Sequence, residues 1–218
     1  MTAVTPPKTR RRQVDRTAET RSALIEAAIH VIYRDGYGGA STAVIAEEAG
    51  VSRGAILHQF GTRAQLMADV ITEVYAQEHR DYQLLEAQGY DGMRLWDWPE
   101  MLWQVLRKPS GVAVLEILQA ARSDQELATL VAPAQSRIEE IATAGMLERF
   151  PNVDEAESLS AMRLFVWAVR GLSIAQVLAP EPRSIESSVL FFRRIVEAAV
   201  ESGLVLTVKA SSSPAPKA

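Results

Sequence analysis

Two short stretches, one over residues 42–49 and one that begins after Ser52 and carries Ile56 and Phe60, are joined through Gly50, and no other feature of the sequence restricts the fold as much. In the first stretch Ile45 and Ala49 face one way, and Ser41 or Thr42 offers a hydroxyl to cap the helix start. Gly50 closes that helix, Val51 can plug the core at the turn, and Ser52 can cap the next. Ile56 and Phe60, four residues apart, give the second helix its buried stripe. The result is two short helices joined by a tight, glycine-bearing turn. A longer helix precedes them over residues 16–35, where Leu24, Ala28, Val31 and Ile32 recur at helical spacing. Gly36 ends it in the left-handed region, and residues 37–40 form a glycine-rich connection.

With Ile56 and Phe60 turned inward, the third helix presents Gly54, Ala55 and His58 outward, with Leu57 at the flank. That face is small and largely uncharged, as insertion into a DNA major groove requires. Gly54 and Ala55 permit close approach, Leu57 can touch a thymine methyl, and His58 can donate to a base edge or phosphate. Arg53 adds a guanine or phosphate contact. Taken singly, Leu57 is equally a core residue, His58 an ordinary surface histidine and Arg53 a solvated charge.

The formal net charge of −4 conceals an asymmetry: residues 1–66 hold 9 basic and 6 acidic side chains, whereas the remainder holds 14 and 21. A polyanionic partner is therefore expected at the N-terminal end. Much of the positive charge lies in Lys8, Arg10, Arg11, Arg12, Arg16 and Arg21, and Pro6-Pro7 argues against a helix running back to the terminus. Residues 1–14 are expected to form a basic disordered arm.

The segment over residues 21–67 resembles the DNA-binding domain of the tetracycline-repressor (TetR) family. The landmarks are Ala27-Ala28, Gly36-Tyr37, Ile45-Ala46, Ala49-Gly50-Val51-Ser52, Phe60, a basic Arg63 and Leu66. The resemblance implies an all-α chain of about nine helices. Residues 15–66 form a three-helix, helix-turn-helix DNA-binding domain, and residues 67–206 a larger helical effector-binding and dimerisation domain. It also implies phosphate contacts at Ser41 or Thr42 and at Arg63, and groove contacts among Arg53, Gly54, Ala55, Leu57 and His58, with Gln59 as a lesser candidate for adenine. Two departures stand out. Leu57 occupies a position where the family most often has a DNA-contacting tyrosine, and Arg63 replaces the usual lysine while keeping its charge.

Past residue 66 the pattern predicts helices over about 63–88, 99–108, 111–122, 124–150, 154–178 and 184–204, with Pro133 as a kink or a break. Residues 207–218 are expected to be disordered. The final two helices carry apolar residues on more than one stripe, which suits a four-helix interface across a two-fold axis. The candidate interface residues are Leu159, Met162, Val166, Val169, Val189, Phe192 and Val196, with burial inside one protomer as the alternative. A dimer reads both halves of a palindromic operator, with recognition helices ~34 to 36 Å apart.

Trp96, Trp98 and Trp103 cluster within eight positions, either filling a core or lining a pocket for a hydrophobic or aromatic effector. Candidate pocket residues are Tyr75, Tyr82, Met101, Trp103, Met146 and Trp167.

Cysteine is absent and His30, His58 and His79 are scattered, which excludes disulfides, thiol catalysis and zinc-finger spacing. No catalytic triad pattern, phosphate loop, HExxH or repeated Glu-x-x-His occurs, so neither an enzyme nor a metal or cofactor is expected. Arg163 and Arg170 interrupt the most apolar stretch and the N-terminus lacks a signal-peptide core, so a cytoplasmic location without a membrane span is expected. The reading is a transcriptional regulator, most simply a repressor released by a small molecule. The alternative is a helical small-molecule-binding or protein-interaction module whose DNA reading is lost or altered.

Overall fold

The computed structural model describes residues 8–90, 92, 94–151, 153–178, 181 and 183–205. Among them are nine α-helices: α1 (Lys8–Gly39), α2 (Thr42–Glu48), α3 (Arg53–Phe60), α4 (Arg63–Ala87), α5 (Trp98–Leu106), α6 (Pro109–Ala121), α7 (Gln125–Arg149), α8 (Glu155–Leu178) and α9 (Arg183–Glu201). A 3₁₀ turn, Leu95–Asp97, leads into α5.

Helix ends follow local chemistry. Gly36 adopts φ 76° and kinks α1 near its end, Gly50 at φ 66° follows α2, and Gly61 at φ 74° ends α3. Such values suit a residue without Cβ. The Asp124 carboxylate accepts from Leu127 N–H at 3.0 Å, and Asp154 accepts from Ala156 and Glu157 at 2.9 and 3.2 Å, each satisfying donors that a helix start leaves free. Helix α7 continues through Pro133 rather than ending there.

The start of α1 differs from expectation. Residues 8–14 are helical, because Lys, Arg and Gln are good helix formers and nothing after Pro7 breaks the helix. The remainder of the expected arm, residues 1–7, and the tail 207–218 lie outside the described residues.

The helices divide into two compact units, and the division does not fall after residue 66. The first unit joins Met1–Gln77 to Pro109–Ala134, so α6 and the first turns of α7 belong with α1–α3. Its core takes Leu24, Ala28, Val31 and Ile32 from α1, Ile45 from α2, Ile56 and Phe60 from α3 and Leu66, Met67, Val70 and Ile71 from α4. Val112, Ala113, Val114 and Ile117 complete it from α6, which packs along α1. Arg21 stacks over the Phe60 ring at 4.8 Å and pairs with Asp69 at 2.9 Å, tying α1 to α3 and α4.

The second unit comprises Glu78–Lys108 and Gln135–Ala218. Here α5 lies against α8 and α9, and the tryptophan-rich segment is core. Trp98 packs against Phe150 and Phe165 with ring centroids 6.3 and 6.5 Å apart, and its indole N–H donates to the Gly92 carbonyl at 3.1 Å. Arg193 reaches from α9 to Asp97 at 3.0 Å and Glu100 at 2.7 Å, fastening α9 to the start of α5. Inside this unit Arg170 pairs with Glu78 at 2.8 Å, both almost fully buried. Helix α8 is long and apolar enough to cross a membrane, but its two mid-helix arginines are tied to other protein helices, Arg163 to Glu139 and Arg170 to Glu78.

Candidate functional site

Helix α3 rests on Ile56 and Phe60, both buried, which leaves Gly54 and His58 exposed on the opposite face, Leu57 exposed at its flank and Arg53 exposed at the helix start. Leu57 is 67% exposed, so its place in the core is ruled out. Ala55 is half-buried at the edge of this face. Ser52 takes the N-cap position with extended backbone, and no hydrogen bond from its side chain caps α3. The outward surface is short and carries one guanidinium, one imidazole and one leucine.

Beside it, Ser41 caps α2 by accepting from Val44 N–H at 3.3 Å, and the side chain remains exposed. Thr42 follows in the first helical turn, half-buried. An anion approaching this end of α2 meets backbone N–H groups as well as these hydroxyls.

Two candidates are committed elsewhere. The Gln59 amide donates to the Thr17 carbonyl on α1 at 3.4 Å, which turns it away from the α3 face. Arg63 is half-buried and forks onto the end of α1 and the residue that joins it to α2: Nε donates to the Ala40 carbonyl at 2.9 Å and Nη2 to the Tyr37 carbonyl at 2.7 Å. Its guanidinium also lies over the Tyr37 ring at 4.1 Å. Arg63 therefore holds the loop that launches α2, a task that lysine, with no planar fork, cannot duplicate.

Sequence reasoning missed the partner of that fork. Tyr37 N–H donates to the Glu116 carboxylate of α6 at 2.5 Å, across 79 positions of chain. No local pattern could have signalled an interaction of that range.

The expected interface residues separate on burial. Met162, Val169, Val189 and Val196 are buried within the protomer, and Leu159, Val166 and Phe192 are half-buried, with Val166 and Phe192 packed against the same core. The exposed apolar side chains are instead Leu164, Trp167, Val177 and Leu178 on α8, and Leu190, Phe191 and Ile195 on α9. On α8 the exposed Leu164 and Trp167 stand two residues from the buried Met162 and Val169, and on α9 Phe191 stands two from Val189, which at 100° per residue puts them on opposite faces.

The expected pocket residues also divide. Tyr82, Met101, Trp103 and Met146 belong to the second unit's core or pack on it, whereas Tyr75 lies in the first unit and Trp167 is 44% exposed. In the second unit the Trp103 indole N–H and the Glu78 Oε1 are buried without a hydrogen-bond partner. Burial holds the Glu78 carboxyl above its ordinary range despite the pull of Arg170, and burial together with Glu78 raises the Tyr82 phenol well above its own.

Residues 24–70 match the family described as bacterial regulatory proteins, tetR family. An uncharacterized HTH-type transcriptional regulator of Mycobacterium tuberculosis is 33% identical over 119 residues, 54% of this chain and 60% of the relative. The HTH-type transcriptional regulator CymR of Pseudomonas putida is 41% identical over 68 residues, 31% of this chain and 34% of the relative. The chain thus spans less than two thirds of the length of these relatives. A solved structure described as a TetR-family transcriptional regulator from Rhodococcus sp. superposes with a TM-score of 0.61 at 19% identity, covering 87% of this chain and 100% of that one. At such identity the likeness concerns the fold.

Proposed function

We infer that this chain, whose residues 24–70 match the tetR family of bacterial regulatory proteins, is a sequence-specific DNA-binding transcriptional regulator. The observation that carries the reading is the outward face of α3: Arg53, Gly54, Leu57 and His58 exposed together above a buried Ile56–Phe60 stripe. Gly54 and Ala55 let the helix backbone approach a groove floor, and Leu57 presents methyl groups where the thymine methyl lies. His58 offers one polar contact to a base edge. Ser41 and Thr42 bind phosphate at the start of α2.

The protein acts as a cytoplasmic homodimer on a palindromic operator, and as a repressor. Support for the dimer is the exposed stripe of Leu164, Trp167, Phe191 and Ile195, an apolar surface that a second copy covers. A hydrophobic or aromatic effector releases DNA by binding more tightly to the conformation that does not fit the operator. Support for its site is the aromatic core around Tyr82 and Trp103, in the unit where the Trp103 N–H and one Glu78 oxygen are buried without a hydrogen-bond partner.

A second reading, a helical binding module with altered DNA recognition, is favoured by two observations: Leu57 replaces a polar contact, and Arg63 is committed to Tyr37 and Ala40. Fluorescence anisotropy of the full chain on a duplex from DNA flanking its coding region, compared with an unrelated duplex at several salt concentrations, decides between them. Regulator function predicts a preference of ~10³ or more for one duplex. Equal binding to flanking DNA, to unrelated DNA and to any sequence recovered from a random pool overturns it.

A further inference from the structure

The end of α1 beyond its kink at Gly36, together with Ala40 that joins it to α2, is held from two directions by residues distant in sequence. The backbone turns at Gly36, with φ 76° and ψ 165°, and the next residue, Tyr37, is gripped at three points. Its N–H donates to Glu116 of α6 at 2.5 Å, its carbonyl accepts from Arg63 of α4 at 2.7 Å, and its ring lies under the Arg63 guanidinium. Arg63 also takes the Ala40 carbonyl, one residue before the Ser41 cap of α2. Both hydrogen bonds at Tyr37 join a charged side chain to a neutral backbone group, a class stronger than neutral pairs.

The clamp bears on α2 and α3. Helices this short draw their stability from packing, and their placement is inherited from the chain that enters them. Tyr37 and Ala40 form that entry. Gly38 and Gly39 between them are exposed, so the connection has freedom to lose.

We propose that Glu116 is a positioning residue for DNA reading: by fixing Tyr37 N–H from α6, it holds the entry to α2 and thereby the angle at which α3 is presented. The inference rests on the DNA-binding reading above. Without the carboxylate, Tyr37 N–H loses its acceptor and the segment samples states in which α3 is misplaced. Apparent DNA affinity then falls by the fraction of molecules still clamped, although every DNA-facing side chain remains in place.

The test compares wild type, Glu116→Ala, Glu116→Gln and the exposed α6 control Gln119→Ala. Two readouts on the full chain separate this proposal from the reading beneath it. The first, amide hydrogen exchange over residues 37–41, involves no DNA. Loss of one charge-assisted hydrogen bond raises exchange there about tenfold in Glu116→Ala and less in Glu116→Gln, whose amide oxygen still accepts. The second is anisotropy on a duplex selected by wild type from a random pool. Affinity falls about tenfold in Glu116→Ala, is partly restored in Glu116→Gln and is unchanged in Gln119→Ala. The slope of log affinity against log salt stays constant, because the groups that meet phosphate are the same in every variant. Unchanged exchange at 37–41, or accelerated exchange with unchanged affinity, overturns the positioning role. Failure of wild type to select any duplex overturns the DNA-binding reading itself, and the exchange arm then reports only how the loop is held.

Discussion

Replacing Phe191 by alanine tests whether the exposed stripe on α8 and α9 joins two copies of this chain. The side chain is 58% exposed, and a phenylalanine offers roughly 200 Å², so roughly 115 Å² is available to a partner. Truncation removes roughly 80 Å² of that, about 2 kcal/mol at ~25 cal/mol per Å². A two-fold axis presents the residue twice, which brings the loss to about 4 kcal/mol, or roughly a thousandfold in dimer Kd. Fold stability is barely touched, because the ring packs little within its own protomer. Val189→Ala is the contrasting variant: its side chain is 2% exposed, so it lowers the thermal midpoint of the fold and leaves the interface intact. Sedimentation velocity over a dilution series measures the Kd, and thermal melts follow the fold. A Phe191→Ala protein that dimerises as tightly as wild type refutes the assignment of this face, as does a wild type that is monomeric at every concentration.

His58→Ala reduces the preference for operator over a mutated operator by about 1 to 3 kcal/mol, read by anisotropy on both duplexes; equal losses on the two show that His58 reads no base. Deleting residues 1–14 removes Lys8, Arg10, Arg11 and Arg12, and flattens the salt dependence of binding by about 0.9 for each phosphate that these side chains neutralise; an unchanged slope shows that this basic stretch touches none. Burial holds the Glu78 carboxyl above its ordinary value of 4.5, so its contribution to stability is complete below that pH and fades as pH rises through the folded value. Glu78→Gln cannot titrate, so the melting temperature of the variant minus that of wild type becomes more positive as pH rises above the ordinary carboxyl value, and a constant difference removes the argument.

Much of the helical framework was legible because its determinants are local. Gly36, Gly50, Asp124 and Asp154 act on the helix ends beside them, and a four-residue spacing is enough to turn Ile56 and Phe60 inward and leave Leu57 and His58 outside. The last two helices were legible only in type. When apolar residues occupy two opposite faces, periodicity identifies both and ranks neither. Met162, Val169, Val189 and Val196 were therefore expected at an interface that their burial in the protomer denies them. Trp167 was expected in a pocket and lies on the surface for the same reason.

The sequence by itself determined the helical class, most helix limits and the outward face of α3, since each follows from hydrogen bonds and side chains within about four residues of one another. Only the tertiary structure decided that residues 109–134 join the first unit, which stripe of α8 and α9 stays exposed, and that Arg63 and Gln59 direct their hydrogen bonds to Tyr37, Ala40 and Thr17. The same holds for Glu116, whose carboxylate meets an N–H 79 residues away. Backbone carbonyls and N–H groups are identical at every position, so which of them a distant side chain will meet is set by how the helices pack and not by any pattern along the chain.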